Sequence, residues 1–145
     1  MRTIHLASDH AGFALKGLLA RHLESRGYAV QDHGTHSTES CDYPVLAHAL
    51  AAAVEVEPEG LGVLICGTGI GVSITANRHP GIRAALCATE LQARLAREHN
   101  NANVLCLGAR IIGDELARAI TDAFLDGHFA GGRHQRRLDR INLPA

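Results

Sequence analysis

Leu61-Gly62-Val63-Leu64-Ile65-Cys66-Gly67-Thr68-Gly69-Ile70-Gly71-Val72-Ser73 is the stretch that decides the fold. Its first six residues form an apolar run, the pattern of a strand buried on both faces of a parallel sheet. Three glycines in the next five residues predict a tight turn where backbone can approach a ligand closely. The turn opens a helix, whose free N–H groups favour anions and thiolates. A thiol at Cys66 is therefore expected to have a lowered pKa. Taken alone, Cys66 equally fits a small buried residue at a strand end.

Outward from this stretch, strand-like and helix-like segments alternate. Strands are predicted over Thr3–Ser8, Tyr28–Asp32, Leu61–Cys66, Ile82–Cys87 and Asn103–Leu107. Helices are predicted over Gly12–Arg26, Pro44–Val56, Gly71–Asn77, Thr89–His99 and Asp114–Asp126. Leu15, Leu18, Leu19 and Leu23 recur at helical spacing, Gly27 stops that helix, and Pro44 suits a first helical position. His33–Asp42 reads as a polar loop, and Gly127–Ala145 as a Gly-rich then basic segment ending in a short helix. Parallel strands need crossover connections, so five βα units predict one α/β domain over residues 1–145. The expected architecture is a three-layer α/β/α, Rossmann-like domain with a five-stranded parallel sheet. Ligands of such sheets bind beyond the C-terminal ends of the strands, where Asp9, His10, Cys66, Gly67, Thr68 and Arg110 fall.

Composition narrows the function. Hydrophobic residues make up 46% and aromatics 3%, so the core must be aliphatic. A net charge of −1 argues against a general nucleic-acid or membrane-surface binder. No window approaches 18 consecutive apolar residues, so no membrane span is expected. No signal-peptide pattern opens the sequence. Cys41, Cys66, Cys87 and Cys106 show no CxxC spacing, which points to reduced thiols in a cytoplasmic protein.

Several motif readings fail on spacing. Gly67–Gly71 is GxGxG after the third strand, whereas a dinucleotide fingerprint is GxGxxG after the first; Glu90 is a poor match for its ribose-binding acid. An NAD-linked dehydrogenase is thus a weak reading. No Gly-Lys-Ser/Thr follows the glycines, and a cysteine-dependent phosphatase would need Arg where Val72 stands. The best metal cluster is His33-x-x-His36 near Cys41; no HExxH occurs, and no metal is expected. Asp9-His10 reads as a ligand contact, or as an N-cap by Asp9. Arg133 and Arg137, four apart, would share one helical face and could clamp one phosphate, with Arg136 pointing elsewhere. The crowding of Arg133, Arg136, Arg137 and Arg140 also fits a plain solvated face. His99–Asn103 reads as a polar helix end with a C-capping Asn.

Five segments in order are similar to the ribose-5-phosphate isomerase B family, within a wider group that includes galactose-6-phosphate isomerase. They are Ser8–Gly12, Asp42-Tyr43-Pro44, Ile65–Gly71, Glu98-His99-Asn100 and Gly131–Arg137. The resemblance implies an aldose–ketose isomerase of D-ribose 5-phosphate and D-ribulose 5-phosphate without metal or organic cofactor. It makes Cys66 the base that moves a proton between C2 and C1, and His99 the acid that opens the sugar ring. Asp9, His10, Asn100 and Arg110 would contact sugar or phosphate, and Arg133 and Arg137 would hold the phosphate. Some members use a Glu-dependent base instead, but Gly67–Ser73 carries no acid.

Backbone N–H groups after Cys66, with Gly67, Gly69, Ile70 and Gly71 lining the loop, suit the negative oxygen of an enediolate. Thr68 is expected to shuttle a proton between the two oxygens. A six-carbon sugar phosphate is the alternative substrate, and a non-catalytic sugar-phosphate or nucleotide-binding module the alternative class. Cys66 belongs at one edge of the sheet and His99 at the other, so a homodimer sharing its active sites is expected.

Overall fold

The computed structural model describes residues 1–145. Along the chain run β1 (Thr3–Ser8), α1 (Phe13–Ser25), β2 (Ala29–Asp32), α2 (Tyr43–Val56), β3 (Leu61–Cys66) and α3 (Ile70–Ala76). β4 (Ala84–Leu86), α4 (Glu90–Asn100), β5 (Val104–Gly108), α5 (Asp114–Asp126) and α6 (Arg133–Leu138) follow. Every strand pairing is parallel, in the order β2-β1-β3-β5-β4. This is the three-layer α/β/α fold expected.

Side chains alternate across a strand, and β3 shows what that does. Leu61, Val63 and Ile65 pack with α1, α4 and α5 on one face. Leu64 and Cys66 pack with α2 and α3 on the other. Both cores are aliphatic apart from Phe124 and three cysteines. Truncating a fully buried leucine such as Leu64 costs about 2–5 kcal/mol in transfer and cavity terms.

Element ends follow local chemistry. α1 stops because Gly27 takes φ 88°; its N–H donates to Glu24 O at 3.0 Å, and that of Tyr28 to Leu23 O at 3.1 Å. This left-handed cap delays β2 to Ala29. β4 is shorter than the apolar run suggests. The Arg83 N–H donates to Asn103 Oδ1 at 2.8 Å, and that of Ile82 to His79 O at 3.0 Å, so a turn consumes the first expected pairings.

α1 carries the chain from β1 to β2, and α3 carries it from β3 the opposite way to β4. The crossovers part between β1 and β3, leaving a crevice at their C-terminal ends. The His33–Asp42 loop is tied beside it. Ser8 N–H donates to Gly34 O at 2.8 Å and Thr35 N–H to Ser8 O at 2.6 Å. Lys16, only 2% exposed, donates to Asp32 Oδ1 at 2.6 Å and to the Thr35 carbonyl.

Candidate active site

Cys66 ends β3, 5% exposed, with its side chain turned toward α2 and α3. Its Sγ accepts the Gly69 N–H at 3.1 Å. The next N–H, of Ile70, donates to Thr68 Oγ1 at 3.2 Å. Sulfur, hydroxyl and the amides that open α3 therefore share one turn. Gly69 takes φ 79°, and a Cβ there would sit 2.9 Å from the Leu107 carbonyl carbon. A side chain would be both conformationally strained and sterically blocked, so glycine here sets the turn. Gly71 is limited from outside: a Cβ would lie 2.4 Å from the Tyr43 ring.

Asp9, at the tip of β1, closes the other side of the crevice. Its N–H donates to Ile65 O at 3.2 Å, and its Oδ1 accepts the Gly12 N–H at 3.1 Å. Asp9 is not the N-cap of α1, which is Gly12 with no side-chain cap; its bond closes the turn before the helix. His10 Nδ1 accepts the Cys41 N–H at 3.2 Å, tying the polar loop to the site. Arg110 lies against the loop. Its N–H donates to Gly67 O at 2.9 Å, and its Nη1 would be 3.0 Å from a Cβ on Gly67. The sequence-predicted residues Asp9, His10, Cys66, Gly67, Thr68, Gly69, Ile70, Gly71 and Arg110 thus gather at one edge of the sheet.

His99, Asn100, Arg133 and Arg137 form a second group. His99 lies in the last turn of α4, which stops at Asn101 with φ 44°. The Ala102 N–H returns to Ala96 O at 3.0 Å, and the chain enters β5. The His99 ring stacks on His134 of α6, centroids 4.5 Å apart and planes 16° apart. A cavity of about 360 Å³ is lined by His99, Asn100, His134, Arg137, Leu138 and Ile141. Loss of solvation, then the charges of His99, Arg133 and Arg137, hold His134 below the usual histidine range. The expected helix over Arg133 and Arg137 is present as α6.

Register separates the two groups. Val104, just after the His99 turn, pairs with Gly62, while Gly108 pairs with Cys66. Four residue steps along β5 lie between the two registers, about 13 Å at the usual strand rise.

Two residues at these sites escaped the reading of the sequence. Tyr43 was visible only within Asp42-Tyr43-Pro44, since nothing local says that Gly71 must receive its ring. His134 sat between two arginines whose i, i+4 spacing drew the attention. Of the weighed metal cluster, His33 Nε2 instead meets His5 Nδ1 at 2.8 Å. All four cysteines are free. Burial raises Cys87 to about 11 and Cys106 well above the usual thiol range.

The profile of the Ribose/Galactose Isomerase family matches residues 4–141. The chain belongs to this family. It is 48% identical over 141 residues to the ribose-5-phosphate isomerase B of Escherichia coli, covering 97% of this chain and 95% of that one. A crystal structure of a ribose 5-phosphate isomerase from Thermotoga maritima is similar with a TM-score of 0.93 and 52% identity, covering 97% of each chain. The ribose-5-phosphate isomerase B of Mycoplasma genitalium, solved with bound ribulose-5-phosphate, is similar with a TM-score of 0.91 and 45% identity, covering 96% of this chain and 93% of that one. Within this ribose/galactose isomerase family the chain falls with the ribose-5-phosphate isomerase B proteins, and it is an isomerase. No helix is long and apolar enough to cross a membrane.

Proposed function

We propose that this chain interconverts D-ribose 5-phosphate and D-ribulose 5-phosphate through an enediolate. The observation that carries the reading is Cys66 Sγ under the Gly69 N–H, at the open end of β3. It stands in a chain 45% identical to a relative solved with ribulose-5-phosphate. The Gly69 N–H fixes the sulfur at the mouth of the Gly67–Gly71 turn, and the thiolate is the form of cysteine that accepts protons.

In this mechanism the Cys66 thiolate takes the proton from C2 of the open-chain aldose. The electron pair of that bond forms the C1–C2 double bond, and negative charge collects on the former carbonyl oxygen, O1. The amides at the start of α3 stabilise it; one such donor is worth about 2.7–4 kcal/mol in comparable sites. Thr68 passes the O2 proton to O1, and Cys66 returns its proton to C1. The ketose is left with no net change in protons or electrons. His99 donates the proton that opens the furanose ring beforehand. Asp9, His10, Asn100 and Arg110 contact the sugar or the phosphate, and Arg133 and Arg137 hold the phosphate.

This role for His99 requires a second copy of the chain, because β5 separates it from Cys66. A two-fold dimer laying the α4–α6 corner of one subunit on the crevice of the other would complete two sites. Mixing Cys66→Ala and His99→Asn chains and letting them exchange tests both claims. A mixed dimer would carry one site with both residues intact, so about half of its sites should work. No recovered activity despite demonstrated exchange would place the site within one chain. The direct test of the activity is conversion of ribose 5-phosphate to ribulose 5-phosphate by the pure protein, with allose and galactose 6-phosphates assayed beside it. Faster turnover of a six-carbon sugar would reassign the substrate. No turnover of any would leave a binding module.

A further inference from the structure

At the N-terminal edge of the sheet, away from the Cys66 loop, lies a cavity of about 710 Å³. Arg2, Arg83 and Arg97 line it, with Asn101, His128 and the single carboxylate Glu59. None of the three arginines forms an ion pair, whereas Arg26 and Arg94 elsewhere do. Their donors are only partly used. Arg2 Nη2 donates to the Glu59 carbonyl at 2.7 Å, and Arg83 Nε to the Asn101 carbonyl at 2.9 Å. Arg97 Nη1 donates to Asn101 Oδ1 at 3.2 Å and to the Ala102 carbonyl.

Arg97 Nε is buried with no acceptor anywhere in the chain. A buried guanidinium N–H without a partner is costly, and no carboxylate of the chain pairs with Arg97 to offset its charge. The Arg97 guanidinium cannot easily swing away, since it sits 5.7 Å over the Phe124 ring. Burial, then repulsion by Arg2 and Arg83, lowers its pKa, and Glu59 offsets this in part. Arginine nonetheless stays charged, so three like charges share one concave site.

We propose that this cavity binds a phosphate-bearing small anion, with Arg2, Arg83 and Arg97 as its ligands. Guanidinium forks match phosphoryl oxygens in geometry and charge. The volume exceeds what one inorganic phosphate fills, so a diphosphate group, free or carried on a nucleoside, is the class that fits. The site is independent of the isomerase reading, because it uses none of the residues assigned to that reaction.

Isothermal titration of the full chain with pyrophosphate, and with ADP in a second arm, tests this. Arg137→Ala should still bind one diphosphate per chain, while Arg2→Ala and Arg97→Gln each weaken it about tenfold or more. The Arg2 side chain is exposed and its loss leaves the sheet ladder intact, so Arg2→Ala remains informative even if Arg97→Gln does not fold. Binding of ADP tighter than pyrophosphate identifies a nucleotide site; the reverse identifies free diphosphate. Diphosphate affinity in the Arg2→Ala/Arg137→Ala chain within twofold of Arg137→Ala alone, or no binding to Arg137→Ala, overturns the proposal.

Discussion

The crevice at the C-terminal ends of β1 and β3 and the corner made by α4 and α6 are built by opposite means. The crevice is backbone architecture: a buried thiol, the Gly69 N–H turned toward it, and glycines that leave no room for side chains. The corner is side-chain architecture: two stacked imidazoles and arginines on a six-residue helix with no buried residue. A site of the first kind is rigid because the sheet holds it. One of the second kind is weakly held in a single chain and gains order from whatever packs on it. Loss of Cys66 or His99 should therefore stop the chemistry, while loss of a corner arginine should weaken affinity.

Cys66→Ala is the most severe break. It should lower kcat by about 100-fold or more, as loss of a general base does, with substrate binding nearly unchanged. A retained kcat above about a tenth of wild type would remove Cys66 from the base role. Arg137→Ala should act on the other quantity. A charge-assisted phosphate contact of about 1.5–3 kcal/mol predicts a loss of roughly 10- to 150-fold in affinity. Unchanged inhibition by inorganic phosphate in this variant would move the clamp elsewhere, Arg110 first.

A pair of glycine substitutions sharpens the contrast in stability. Gly69 and Gly131 both have positive φ, but a Cβ meets Leu86 and Leu107 at Gly69 and open space at Gly131. Gly131→Ala should cost only the left-handed strain, about 1–2 kcal/mol, while Gly69→Ala adds steric conflict and exceeds it. Equal losses in denaturant melts would mean the Gly67–Gly71 loop yields more easily than its contacts suggest.

The smallest effect expected is in thiol labelling. With Cys87 raised to about 11, only about one thiol in a thousand is ionised at pH 8. Cys106 is fully buried, and that burial raises it well above the usual thiol range. Iodoacetamide at pH 8 should spare both in the native protein and reach the partly exposed Cys41. Mass spectrometry showing early labelling at Cys106 would mean that the core opens on that timescale.

Five alternating apolar segments and the glycine run after Leu61–Cys66 were enough to specify a parallel α/β sheet, because periodicity and turn chemistry act over a few residues. The same local signals placed Cys66, Thr68 and Asp9 at strand ends, and the stop of α4 beside His99. The spacing of Arg133 and Arg137 was legible too, since α6 needs only its own hydrogen bonds.

Strand order, and with it the opening of a crevice between β1 and β3, was decided by tertiary packing, because crossover direction is not written in any one segment. So were the Tyr43 ring over Gly71, the stacking of His134 on His99, and the gathering of Arg2, Arg83 and Arg97. Each joins residues far apart in the chain, and only burial of both helical layers against one sheet brings them to the same place.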